Sequence, residues 1–180
     1  LLRGDVELAQ RRYLEALEAY HQAFERSPGR DAVMGIYMAR SLLGQYAEAR
    51  RVMSDWLVSH PEDDFVRRNL AVAYFLVDDL GPAQREFEYL YDNGEESPVV
   101  LAHLARIYQL EEDPRARAYS LMAVEGNPTW SVALDTYGWI LSTEGDLEEG
   151  LKYLREAVSR DTNPLMQYHL AATLAKLGRN

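Results

Sequence analysis

Apolar residues recur every three or four positions along almost the whole chain, which is the period of an amphipathic helix. Ala16, Leu17, Tyr20 and Ala23 share one helical face, and Leu147, Leu151, Leu154 and Val158 share another. No strand is expected. The pattern is itself periodic. An apolar residue precedes a small or aromatic one at Leu70-Ala71, Leu104-Ala105, Tyr137-Gly138 and Leu170-Ala171. Three residues further on stand Tyr74, Tyr108, Leu141 and Leu174. Extended upstream through Ile36-Tyr37 and Arg3-Gly4, the second members fall at 4, 37, 71, 105, 138 and 171, spaced 33, 34, 34, 33 and 33.

Three further columns keep the same beat: Ala16, Ala49, Ala83, Ala116 and Gly150; Tyr20, Met53, Phe87, Ser120 and Leu154; Ala23, Trp56, Leu90, Ala123 and Ala157. Pro28, Pro61, Pro98, Pro128 and Pro164 come once per unit, where a residue without an N–H ends one helix and begins the next connection. Pro82 and Pro114 fall at the starts of second helices, where the missing N–H costs nothing. Gly44, Gly145 and Gly178 lie at mid-unit, seven residues past the small position, and predict helix ends with positive φ. Each unit therefore reads helix, turn, helix, turn. Small residues at the contact positions let paired helices approach closely.

The expectation is an all-α fold: a right-handed α-solenoid of tandem antiparallel helix pairs, about 11 helices in all. A truncated repeat covers 1–28. Full repeats follow at 31–61, 65–98, 99–128 and 131–164, and a final first-type helix occupies 165–178. The chain begins at Leu1, and it reads as a segment of a longer protein, so targeting information is expected to lie outside it.

The columns Leu104-Ala105-x-x-Tyr108 and Tyr137-Gly138-x-x-Leu141, with Gly145, Gly150, Ala157 and the trailing proline, resemble the tetratricopeptide repeat family over essentially the whole chain. Tyr37 departs from the pattern where a small residue is usual, as do Trp56 and Leu90 where Ala is usual. Asp135-Thr-Tyr-Gly-Trp-Ile-Leu141 and Tyr168-His-Leu-Ala171, together with Trp56-Leu57 and His60-Pro61, also resemble a bacterial branch of the family. That branch is the tetratricopeptide lipoproteins that accompany the exosortase (PEP-CTERM) sorting system and exopolysaccharide export. The resemblance implies an envelope protein of the periplasm or the outer-membrane periphery, with any lipid anchor upstream of Leu1. A cytoplasmic location is the alternative.

Composition narrows the chemistry. There are 19 Lys and Arg against 29 Asp and Glu, a net charge of −10, which disfavours nucleic acid and anionic lipid as partners. No apolar run approaches the roughly 20 residues of a membrane span. There is no Cys, hence no disulfide, thiolate metal site or Cys nucleophile. No paired-His metal spacing, nucleophile elbow, glycine-rich phosphate loop or Walker pattern occurs, so neither metal nor cofactor is expected. The acidic clusters at Glu111–Asp113, Asp92–Glu96 and Glu148–Glu149 fall at turns, where carboxylates stay solvated. His103 and His169 occupy equivalent repeat positions and read as groove or interface residues. The chain is not expected to be an enzyme.

In the family, the first helix of each pair lines the concave face, and the resemblance implies that binding occurs there. The positions so placed include Met34 and Met38, then Arg68, Val72 and Phe75, then His103, Arg106 and Gln109, then Asp135 and Trp139, and finally Tyr168. Methionine suits an adaptable surface, and exposed aromatics with arginine are the types that dominate binding hot spots. Arg68 and Arg106 either meet an acidic side chain or C-terminal carboxylate of a peptide, or pair with acids of neighbouring repeats. Asp135 and Trp139 form a small pocket, or else Trp139 is a wedge between the last two repeats. The expected function is a protein- or peptide-binding scaffold. A structural spacer, self-associating through the open ends of the array, is the alternative, and an accessory segment of a glycan-processing enzyme is less favoured. Gln167, Lys176 and Arg179 are expected on the outside of the last helix.

Overall fold

The computed structural model describes residues 1–179 of the chain. Eleven helices account for all regular structure among them: α1 (Leu2–Ala9), α2 (Tyr13–Arg26), α3 (Arg30–Leu42), α4 (Tyr46–Ser59), α5 (Asp64–Phe75), α6 (Leu80–Asp92), α7 (Pro98–Leu110), α8 (Arg115–Gly126), α9 (Ser131–Glu144), α10 (Leu147–Arg160) and α11 (Pro164–Lys176). This is the all-α arrangement of tandem helix pairs that the repeat predicts. Pro98 and Pro164 stand in the first turns of α7 and α11, where a fixed φ and a missing N–H are both tolerated. Side-chain caps support two starts. Asp63 accepts from the Val66 amide at 3.2 Å and Asn163 from the Leu165 amide at 2.9 Å.

The mid-repeat turn has a finer rule than glycine alone. Its left-handed residue falls at Arg11, Gly44, Asp78, Glu112, Gly145 and Gly178, with φ between 56° and 103°. The three glycines are those expected. The other three positions adopt the same conformation with a side chain, at a steric cost of about 1–2 kcal/mol each.

The chain divides into two compact units, 1–86 and 87–180. In the first, α1 packs on α2, α2 on α3, α3 on α4 and α4 on α5. Tyr20 sits at the centre of its packing, between Gly4 and Gly35. A Cβ on either glycine would meet the Tyr20 ring at about 2.5 Å, so a side chain at either position must displace that ring. The Tyr20 hydroxyl donates to Asp5 at 2.8 Å, and burial pushes its ionisation above the ordinary tyrosine range. A second cluster joins Val33, Met53, Trp56, Leu57, Val66 and Leu70.

In the second unit, α7 packs on α8, α8 on α9, α9 on α10 and α10 on α11, and the first helices α7, α9 and α11 also touch in sequence. Its core includes Leu101, Ala123, Leu134, Leu141, Ala157 and Met166. Here α9 and α10 close directly. A Cβ on Gly138 would lie 2.9 Å from the Gly150 carbonyl oxygen, and one on Gly150 would lie 2.6 Å from that of Gly138. Two columns of the repeat thus meet backbone to backbone.

Candidate functional site

In the second unit the successive first helices bring residues one repeat apart into register. The Gln109 amide donates to Thr143 Oγ1 at 3.2 Å, His169 Nδ1 donates to Asp135 at 2.8 Å, and Lys176 Nζ donates to the Ser142 carbonyl at 3.2 Å. Each bond spans 34 residues. The small positions step by 33 through these repeats, so every contact joins a residue of one first helix to the residue one past its equivalent on the next.

Asp135 and His169 are both buried. A carboxylate out of water needs a donor, and His169 Nδ1–H supplies it while reaching both carboxylate oxygens at 2.8 and 3.0 Å. The His169 ring stacks on Trp139, with centroids 4.3 Å apart and planes 13° apart. Lys176 Nζ lies 5.6 Å from the Trp139 ring centroid, and Tyr168 leans against the same indole at 6.2 Å. Trp139 is thus fixed by α11 while remaining partly exposed.

Beside it, Trp139, Arg106, Gln109 and Thr143 line an open cavity of about 570 Å³. Arg106 donates to the Gln109 side-chain oxygen. Burial pushes the Arg106 guanidinium down from its ordinary value, and the charge of Asp135 opposes that shift. Three acids also line it: Asp113 pairs with Arg115 at 2.7 Å, Glu144 pairs with Arg117 at 2.9 Å, and Glu112 stands beside them. Arg106 is the cation that faces this cavity beside an aromatic surface.

The expected site residues do not form one set. Arg106, Gln109 and Trp139 line the cavity. Tyr168 stands on α11 beside Trp139 and is 61% exposed. Asp135 is buried against His169. Trp139 does wedge between α9 and α11, and it also keeps an exposed edge. His103, the repeat equivalent of His169, stacks on Phe87 at 4.9 Å and donates through Nδ1 to the Val99 carbonyl at 2.7 Å, and burial lowers its proton affinity. It is a packing residue. Lys176 and Arg179 are both exposed on the outside of the last helix; Lys176 Nζ also reaches over Trp139, and Arg179 pairs with Glu148 at 2.7 Å.

The remaining candidates belong to the first unit. Met34 and Met38 line a cavity of about 540 Å³ between α1 and α3, together with Leu42, Asp5 and Asp31. The Arg68 guanidinium lies 5.9 Å from the Phe65 ring centroid, and Val72 and Phe75 are half-buried on α5. Arg67, the neighbour of Arg68, makes the inter-helix pair, with Glu86 at 2.6 Å. The cross-repeat bonds of the second unit join residues one position off their shared column, so no single column carries their signal. Pairing each candidate with the residue 34 positions on would have put Asp135 with His169 and Ser142 with Lys176.

Among the described residues no group of three or more His, Cys, Asp or Glu is placed to hold a metal, and no helix is long and apolar enough to cross a membrane. The site defines an all-helical repeat protein whose first helices present a polar and aromatic surface. Residues 133–164, which carry the Gly138–Gly150 contact, match the tetratricopeptide repeat family. The whole chain has the fold of that family's solved structures. It is similar to YrrB, described as a TPR protein with an unusual peptide-binding site, at 20% identity over 91% of this chain and 86% of that one, with a TM-score of 0.69. A tetratricopeptide repeat protein from Parabacteroides merdae ATCC 43184 is 15% identical over 98% of this chain and 71% of its own, with a TM-score of 0.79. MamA is 16% identical over 87% and 93%, with a TM-score of 0.72. No protein of curated function matches the sequence.

Proposed function

We propose that the chain is a non-catalytic scaffold that holds a protein or peptide on its first-helix face, with the principal contact at the Arg106–Trp139 cavity. The observation that carries this reading is the fixing of Trp139. An aromatic anchor held in place by His169, Lys176 and Tyr168 has little side-chain entropy left to lose on binding. Arg106 beside it offers guanidinium N–H groups to a carboxylate, so the fitting segment carries an acidic residue or its own C-terminal carboxylate next to an apolar one. The buried Asp135–His169 pair acts as a brace for the anchor rather than as an acid–base device, because its Nδ1 is committed to Asp135 and its ring face to Trp139. The YrrB likeness supports a peptide ligand by analogy of fold.

The process served is bacterial envelope assembly or exopolysaccharide and protein sorting, at the periplasmic or outer-membrane periphery. That part of the reading rests on the Asp135–Leu141 and Tyr168–Ala171 wording. The test is recovery of partners from an envelope extract by the wild-type chain and by Arg106→Glu and Trp139→Ala variants, read by mass spectrometry. A partner held by the wild type and lost from both variants supports the reading. Equal recovery by all three sinks it.

One set of exposed apolar residues favours a second reading, self-association through the ends. Leu1, Leu2 and Val6 on α1 are 49%, 79% and 46% exposed, and Leu165 on α11 is 52% exposed. Sedimentation that stays monomeric up to high concentration counts against it.

A further inference from the structure

In the second unit α7 and α9 are each covered by the second helix that follows, α8 and α10. Under that cover Leu104 and Ala105 on α7 are buried, as are Tyr137 and Gly138 on α9, and so are Tyr108 and Leu141 three residues further on. On α11 the same columns hold Leu170, Ala171 and Leu174. There Ala171 is exposed and the two leucines are only half-buried. Among the described residues no helix lies over them. The rest of α11 is well packed: Met166, His169 and Thr173 are buried, and the helix touches both α9 and α10. One strip of an ordered helix is therefore bare, and it continues the interface that α10 makes with α9.

That interface fixes the chemistry of what fits. A Cβ on Gly150 would lie 2.4 Å from Ser142 Oγ, and one on Gly138 would lie 2.9 Å from Leu154 Cγ. The small residue of the second helix thus faces position 142 of the first, and the large residue four further on stands over position 138. The two helices run antiparallel. Over α11 the equivalent places are Ala175 and Ala171. Cover therefore requires a small residue, a large apolar one four positions on and another apolar one at seven. Ala83, Phe87 and Leu90 of α6 have this pattern, and all three are fully buried. The first helix of that repeat is also the best match to α11. Its Leu70-Ala71 recurs as Leu170-Ala171, and the position three before the leucine is polar in both, Arg67 and Gln167. A polar residue at this level is compatible with a covering helix, since Arg67 pairs with Glu86 of α6 at 2.6 Å.

The composition of the strip suits a cover that comes and goes. Gln167 is exposed where α7 and α9 carry the buried Leu101 and Leu134, and the exposed Ala171 and Ala175 present little apolar area, so the strip meets water at small cost. A second copy of the chain does not supply the pattern. Its α2, α4, α8 and α10 are packed on their own first helices, and the α6 residues are buried. In α11 itself Ala171 is followed four positions on by Ala175, where a large residue is needed.

From this we infer that the Leu170–Ala171–Leu174 strip is a docking site for an amphipathic helix of a partner polypeptide, one that carries a small residue, a large apolar residue four positions on and an apolar residue at seven. The helix lies antiparallel to α11, as α10 lies to α9. The strip does not include His169 or Trp139, and the inference is independent of the Arg106–Trp139 reading.

The test titrates the ¹⁵N-labelled chain, up to millimolar concentration, with a synthetic peptide of the α6 sequence, residues 80–92, and with its Phe87→Ala form. The backbone amide resonances of Leu170, Ala171 and Leu174 are followed. A helix this short orders mainly on binding. The α6 peptide is expected to move these resonances, and the Phe87→Ala peptide to bind about tenfold more weakly, the loss of one buried ring. In the chain, Ala171→Arg at its exposed position leaves the fold intact and sets a long side chain where the ring would rest, and it should abolish the shifts at Leu170 and Leu174. Failure of the α6 peptide to move the α11 resonances would overturn the site, as would equal binding to the Ala171→Arg chain. Equal affinity of the two peptides would overturn the requirement for a large apolar residue. The same shifts on concentrating the chain without peptide would give the strip to a second copy and overturn the partner.

Discussion

The two units solve one repeat problem in different ways. In the first, the space between helix pairs is filled by one large residue, Tyr20, which fits because Gly4 and Gly35 give way to it. In the second, Gly138 and Gly150 remove the side chains altogether and let α9 and α10 touch through their backbones. The position of Gly35 recurs in the second unit as His103, packed on Phe87, and as His169, which turns to Asp135 and Trp139. A repeat column therefore constrains the space available at a level, and the particular pair of residues decides whether that level is filled by a ring, by backbone contact or by an ion pair.

The strongest way to break this comparison is at the backbone contact. Gly150→Val adds atoms where a Cβ alone would stand 2.6 Å from the Gly138 carbonyl oxygen. The nearest atom is the Ser142 hydroxyl at 2.4 Å, which can turn away, but the next two, the Gly138 carbonyl oxygen and the Ser142 amide nitrogen, belong to the α9 backbone and cannot. The expected loss is about 3–4 kcal/mol, with the second unit unfolding first. Trp130 and Trp139 report on that unit and Trp56 on the other, so fluorescence in a Trp56→Phe background separates them. A melting temperature unchanged by Gly150→Val would refute the backbone-to-backbone account.

Next in size is the buried pair. Asp135→Ala leaves the His169 N–H without its acceptor and opens a cavity, for an expected cost of about 3 kcal/mol. Replacing both partners with Leu should recover most of that loss, since a well-packed apolar pair often equals a buried ionic one in stability. The double variant should still bind its partner more weakly, because Trp139 has lost the ring it stacks upon. Full binding by the stable double variant would show that bracing the indole is not the role of the pair.

In the first unit the corresponding test is Gly35→Ala. Its Cβ meets the Tyr20 ring at 2.5 Å, but a ring on a flexible Cα–Cβ bond can shift, so the expected cost is smaller, about 2 kcal/mol. Adding Tyr20→Leu should return part of it by making room, and the two changes should be non-additive in a double-mutant cycle. Strict additivity would mean that the glycine answers to something other than the ring.

The helices, their pairing and their turns were legible because period and breakers are properties of single positions. Ala16, Ala49, Ala83 and Ala116 recur as one column of small residues, and all four are buried. The site was less legible because it depends on pairs. Asp135 reads as a groove carboxylate until His169 is set beside it, and nothing in the sequence says that the exposed Lys176 also reaches over Trp139. Arg106, Gln109 and Trp139 could be placed because they share one face of successive first helices. His103 and His169 could not be told apart, since their difference lies in the preceding repeat, where one meets Phe87 and the other Asp135.

The smallest effect tests the turns, where both units carry the same conformation on different residues. Gly145 holds φ 103° with nothing within 4 Å of where a Cβ would stand, so its glycine is there for backbone conformation alone. Glu112 holds φ 56° in the preceding turn of the same unit, and Arg11 and Asp78 hold 60° and 56° in the first. A side chain in the left-handed region costs about 1–2 kcal/mol. Glycine removes that strain but loses about 0.5–1 kcal/mol through the freer unfolded chain. The balance predicts that Glu112→Gly stabilises by about 0.5 kcal/mol, from the two principles together. Arg11→Gly should do the same in the first unit, while Gly145→Ala should destabilise by about 1 kcal/mol. Urea titrations at constant m-value resolve differences of this size. Destabilisation by both Glu112→Gly and Arg11→Gly would mean that the side chains contribute contacts worth more than the strain, and that the turn is specified by those residues rather than merely tolerated by them.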